Sequence, residues 1–204
     1  MGSKNKLVCG VGKNDSDYNL HKFEIVNGVY RRIWICPFYQ SWKDMLERCY
    51  SDNFHSRSPT YKECSVHEKW HVFSNFKSWM EKCDWHGMCL DKDLLFPGNK
   101  VYGPSTCIFI SNALNNFLGD CRKARGKYKI GVSWHKRTSS FRADCMNPFS
   151  GRKESLGHFT CEDAAHEAWR RRKHQLACMY ADIQEDQRVA DALRKRYAAK
   201  VEEI

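Results

Sequence analysis

The chain has 204 residues, 42% of them hydrophobic and 13% aromatic, enough for one large domain or two small ones with real cores. No stretch approaches the roughly 18 consecutive apolar residues of a membrane-spanning helix. The N-terminal MGSKNKLVCG lacks the apolar core of an export signal and has Lys6 where a myristoylation motif wants Ser or Thr, so a cytoplasmic protein is expected. The net charge is +10, and residues 121–180 hold 14 Lys or Arg against five Asp or Glu. A surplus concentrated in one segment points to a polyanion partner, most often nucleic acid.

In chain order, residues 1–35 are polar and punctuated by glycine, a loosely attached arm with one short strand at VYRRIWI. The Gly-x-Gly of CGVGKND has no apolar strand before it and no third glycine, so it is not a nucleotide loop. From Cys36 to Cys89 the pattern is helical. Trp42, Met45, Leu46 and Cys49 mark one apolar stripe, and Phe73, Phe76, Met80 and Cys83 another. The SDNFHSRSPTYKECS segment between them reads as loop. Residues 90–118 give strand, turn, strand and helix: Pro97-Gly98-Asn99 is turn chemistry, TCIFI is β-rich, and SNALNNFL opens a helix with Ser111 as its cap.

GDCRKARGK, residues 119–127, is polar, basic and bounded by glycines, and reads as the linker between two domains. KIGVSWHK, SFRADC and KESLGHF are three short strand-like runs. A helix follows from Thr160, with Glu162 and Asp163 in its first turn and Ala164, Ala165, Ala168, Trp169 and Leu176 as the face that packs on a sheet. Residues 182–200 form a charged helix with Val189, Leu193 and Tyr197 as its apolar stripe. The fold class is α+β. Its expected parts are an arm (1–35), a first domain (36–118), the linker (119–127), a second domain (128–180) and the C-terminal helix (181–204).

The 11 cysteines are odd in number and mostly sit at apolar positions, so buried reduced thiols are the leading reading. A structural Zn²⁺ is the weaker alternative, from Cys64-x2-His67 and Cys83-x2-His86-x2-Cys89.

At LDKD…GNKVYGPSTC…NALNN the chain resembles the phage HNH endonucleases in their ββα-metal form, and WKDMLERCYSDNFHSRSPTYKECSVHEKWHVFSNFKSWM resembles the helical lead-in of such proteins. That resemblance implies a single hard cation, Mg²⁺ or Mn²⁺, that neutralises the scissile phosphate. Carried over by position, Asp91 opens the motif and Asn115 on the helix completes the metal grip, with Asn116 as the near alternative. Asn99 would tie the hairpin together. The family's general-base histidine directly follows the Asp, and here that position is Lys92, which could steady a phosphate but is a poor base. Asp93 and His86 are the leading replacements, with His71 a further one.

At KIGVSWHKRTSSFRADC…GRKESLGHFTCEDAAHEAW the chain resembles an AP2 domain, a three-stranded antiparallel sheet packed on one helix that reads the DNA major groove with its strands. Alternation along the strands agrees. Val132, Phe141, Ala143, Cys145 and Leu156 form the apolar parity, leaving Ser133, His135, Arg137, Arg142, Asp144, Lys153 and Ser155 outward. The resemblance places those outward positions on double-stranded DNA. Together the two resemblances imply a homing-type endonuclease, a monomer or a DNA-induced dimer, that cuts one strand per hairpin. The alternatives are a catalytically degenerate DNA-binding protein on the same scaffold, and a Cys/His zinc module whose partner is another protein.

Overall fold

The computed structural model describes residues 7–119 and 126–198, and it is an α+β protein of small sheets and helices. The chain forms two compact units, 1–111 and 112–204. The division falls ahead of the 119–127 linker expected from sequence, of which residues 120–125 lie outside the described residues. Among the described residues, no helix is long and apolar enough to cross a membrane.

The first unit opens with a segment that is anchored rather than loose. Val8 and Gly12 bridge each other and Lys13 pairs with Val72; Lys13 donates its N–H to the His71 carbonyl at 2.7 Å and accepts that of Phe73 at 3.0 Å. Of the two glycines, Gly12 has a packing role. A Cβ on Gly12 would lie 2.4 Å from Leu46 and 2.9 Å from the Trp42 ring, so only glycine lets the backbone cross that helix. Next comes a hairpin, β1 (His21–Val26) and β2 (Val29–Ile35), where one strand was expected. Its turn is Asn27-Gly28 at φ of 53° and 74°, the paired left-handed conformation of a two-residue hairpin.

Helix α1 (Pro37–Tyr50) starts on a proline and buries Trp42, Met45, Leu46 and Cys49, the stripe that its spacing predicts. Helix α2 (Asp52–Arg57) lies in the segment read as loop. It has one apolar ring and therefore no periodic signal, and Ser51 starts it by accepting the Phe54 N–H at 3.4 Å. Helix α3 (Phe73–Met80) buries Phe73, Phe76 and Met80. Trp42 and Trp70 complete this aromatic core, the Trp42 indole donating to the Trp70 carbonyl at 2.6 Å. Strand β3 (Ser65–Val66) pairs in parallel with β5 (Val101–Tyr102), and β4 (Met88–Asp91) pairs antiparallel with β6 (Ile108–Ser111). The Pro97-Gly98-Asn99 turn is thus part of a long excursion between β4 and β6, with β5 diverted to another partner.

The second unit begins at α4 (Asn112–Leu118), which starts at the residue after β6 ends. The Phe117 ring lies tilted against Tyr180 at 5.0 Å, and the buried Lys173 donates to the Phe117 carbonyl at 2.6 Å. Those contacts explain why α4 belongs with the C-terminal half. Strands β7 (Val132–His135), β8 (Ser140–Asn147) and β9 (Arg152–Phe159) form an antiparallel sheet in that order. Helix α5 (Glu162–Asp182) packs across it with Ala165, Trp169, Leu176 and Ala177 buried against a sheet face carrying Ala143 and Cys145. Ala164 is exposed, one position off that stripe. Gly131 lies under Trp169: a Cβ there would fall 2.1 Å from the ring, at φ +80°. Helix α6 (Gln187–Arg196) covers α5 with Val189, Ala190 and Leu193.

Candidate functional site

Two groups of side chains can carry chemistry, one in each unit. In the first unit, Asp91 ends β4, and its Oδ1 accepts the N–H groups of Asp93 at 2.9 Å and Leu94 at 2.7 Å. That turn fixes the carboxylate where the strand stops. Asn99 reaches back to the same place. Its Nδ2 donates to the carbonyls of Lys92 at 3.0 Å and Val101 at 2.7 Å, and its Oδ1 accepts the Val101 N–H at 3.1 Å. These bonds tie the excursion together.

Lys92 lies inside this clasp at 6% exposure. Its ammonium donates to Asp93 at 2.8 and 2.9 Å and to the Asn99 carbonyl at 2.8 Å, and it lies 5.8 Å from the Tyr102 ring centre. Burial works to lower its pKa, but the Asp93 carboxylate outweighs burial, and the value is raised. The group is a held ammonium and serves the fold, so it has neither the lone pair of a base nor a free reach to a phosphate. Asp93 is its counterion. His86 stands two residues before β4, exposed, with its ring stacked on Trp85 at 3.8 Å. His71 is engaged by the Tyr50 hydroxyl at 3.4 Å. Asn115 and Asn116 lie on α4, half-buried and exposed respectively, in the second unit.

Among the described residues the ten cysteines form no disulfide, and no three His, Cys, Asp or Glu side chains form a group able to hold a metal ion. Burial pushes the Cys49 and Cys107 thiols up to about 12, so they stay protonated and inert at neutral pH.

In the second unit, the sheet face opposite α5 gathers polar side chains. Arg142 donates through Nε and Nη2 to Asp144 Oδ1 at 3.0 and 2.8 Å, and Lys153 Nζ sits 3.1 Å from Asp144 Oδ2. The Asp144 side chain is only 9% exposed, so one sheltered carboxylate holds two cations in register. Ser133 lies opposite Arg142, and Ser155 opposite Asp144. Arg137 departs from the expected strand parity, because residues 136–138 form a 3-10 turn between β7 and β8.

His158, Ser140 and Thr138 join this face unforeseen. The rings of His135 and His158 lie 4.9 Å apart, with Thr138 bonded to His135 at 2.8 Å and Ser140 to His158 at 2.9 Å. Simple alternation puts residue 157, not 158, on the outer parity. A bulge at Leu156 inserts one residue, pairs Gly157 with the helix-facing Ala143, and turns His158 outward beside Arg142. Leu156 is accordingly half-buried rather than core. The signal present in the sequence is Gly157, which takes φ +118° there.

Comparison with protein-family models, curated proteins and solved structures finds no match to this chain.

Proposed function

We propose that this chain is a metal-dependent DNA endonuclease of the HNH type, whose AP2-type sheet holds the duplex. The observation that carries the reading is the outer face of the β7–β9 sheet, where Arg142 and Lys153 are held by one sheltered carboxylate, Asp144, and the His135–His158 pair lies on the same face. Asp144 fixes the Arg142 guanidinium without spending both of its edges, which suits a planar donor set aimed at a phosphate or a guanine edge. Lys153 adds a point charge to the same face.

Cutting is assigned to the first unit. A bound Mg²⁺ or Mn²⁺ would neutralise charge at the scissile phosphate. Asp91 fits such a cation, being a hard oxygen donor held at a strand end by two backbone N–H groups. His86 is the residue to take a proton from the attacking water, because Asp93 is committed to Lys92 and His71 to Tyr50. Asn115 and Asn116 remain expectations of the family pattern and carry no step here. One hairpin cuts one strand, so a double-strand break takes two chains on the DNA.

A second reading, a DNA-binding protein that keeps the nuclease scaffold without cutting, is favoured by one observation: the ammonium of Lys92 is locked into the fold at the position where the resemblance expects a base. Duplex binding and plasmid nicking measured on the same preparation separate the two. The first reading expects salt-sensitive binding together with nicking that needs metal; binding alone would select the second.

A further inference from the structure

The β1–β2 hairpin has no part in either site. It is a two-stranded sheet with nearly every residue exposed. The apolar ones are no exception: Ile25 is 74% exposed, Tyr30 70% and Val29 51%. Phe23 stacks on Tyr30 at 5.1 Å instead of entering the core. A lone two-stranded ribbon is marginal in water, and open edges with apolar side chains are a liability unless a partner covers them.

The charges indicate which partner. Lys22, Arg31 and Arg32 stand against Glu24 alone, so the ribbon is a cationic element in a unit whose aromatic core is neutral. Among the described residues neither Arg31 nor Arg32 forms an ion pair. A second copy is a poor match, because edge-to-edge pairing of two β2 strands would set these arginines against their own copies. A polyanion is a good one. Register places Phe23, Ile25, Tyr30 and Arg32 on one face of the ribbon and Glu24, Val26, Val29 and Arg31 on the other. Arg32 thus shares the face of Ile25 and Tyr30, and its neighbour Arg31 leaves from the other face of the same β2 edge, so the two long side chains reach phosphates along that edge. A ribbon of six-residue strands is about 20 Å long, and the major groove, about 12 Å wide, admits a two-stranded ribbon.

We propose that the β1–β2 hairpin is a second DNA-binding element that enters the major groove, with Arg31 and Arg32 on phosphates along the β2 edge and Ile25 and Tyr30 against base edges and sugars. The assignment rests on the DNA-binding reading above and extends it to the first unit.

The test is fluorescence anisotropy of the full chain on a long mixed-sequence duplex across a salt series, with sedimentation in parallel. Three double variants are compared with wild type: Arg31→Gln/Arg32→Gln, Ile25→Ser/Tyr30→Ser, and, in the sheet, Arg142→Ala/Lys153→Ala. Losing two phosphate contacts should reduce the slope of log K against log salt by about 2 and weaken binding on the order of tenfold near physiological salt. The Ile25→Ser/Tyr30→Ser variant should bind more weakly with the slope kept. Both hairpin variants change exposed residues and should melt with wild type. If the sheet variant weakens binding while both hairpin variants bind like wild type, the hairpin assignment falls and the DNA reading stands. If wild type shows no salt-sensitive binding, both fall. If the hairpin variants turn a dimer into a monomer with the salt slope unchanged, the ribbon contacts a second copy and the proposal is overturned.

Discussion

Asn99, Lys92 and Asp144 show how much a single polar side chain is asked to hold in this protein. Asn99 makes three bonds to backbone within one excursion, and Thr106 shares the Val101 carbonyl with it. Asn99→Ala should therefore cost about 1 kcal/mol in urea unfolding of the first unit, the net worth of bonds to part-buried and exposed backbone groups. A loss below about 0.5 kcal/mol would mean that the clasp is ornamental. The turn at Pro97-Gly98-Asn99 was legible in the sequence, whereas a tying role for Asn99 was an expectation of the family resemblance alone. The role of Lys92 was not legible. A lysine between two aspartates reads as surface charge, and only the packing of Tyr102 and the Asn99 carbonyl beside it turns the ammonium inward.

At the scale of elements, the stripes of α1 and α3 and the three strands β7–β9 were readable from periodicity, because each has one buried face and one wet one. What alternation cannot show is a register shift, and the bulge at Leu156 is why His158 was missed. Strand β1 was missed although Phe23 and Ile25 alternate with Lys22 and Glu24 and the Asn-Gly turn after it was a hairpin signal. Two predictions concern the helix that backs the sheet. Gly131→Ala should destabilise the second unit by about 3 kcal/mol, since a Cβ meets the Trp169 ring and the backbone sits at positive φ; a wild-type melting temperature would contradict the packing. Glu154 is bonded by Arg172 from α5 and by Asn147, and these hold its carboxyl down to about 2. A depressed carboxyl stabilises the fold above its unfolded value, about 4.3, and loses that contribution as pH falls toward about 2. Glu154→Gln should flatten the acid limb of stability against pH over that window; an unchanged limb would place the pH dependence elsewhere.

For the whole molecule, the +10 charge and its concentration in residues 121–180 are what the sequence states most plainly, and the sheet face gives part of that charge a shape. The proposed metal grip was the least legible part. Asp91 is held in the first unit, the helix asparagines belong to the second, and the base that a nuclease would need is a choice among Asp93, His86 and His71 that no spacing rule makes. The most direct measurement is nicking of supercoiled plasmid with Mg²⁺, with Mn²⁺ and with chelator, by wild type, Asp91→Ala and His86→Ala. Nicking that requires metal, vanishes in Asp91→Ala and falls by roughly a hundredfold in His86→Ala is the predicted result. Salt-sensitive binding with no nicking under either metal, or nicking that survives Asp91→Ala, would contradict the assignment of this chain as an endonuclease acting through Asp91.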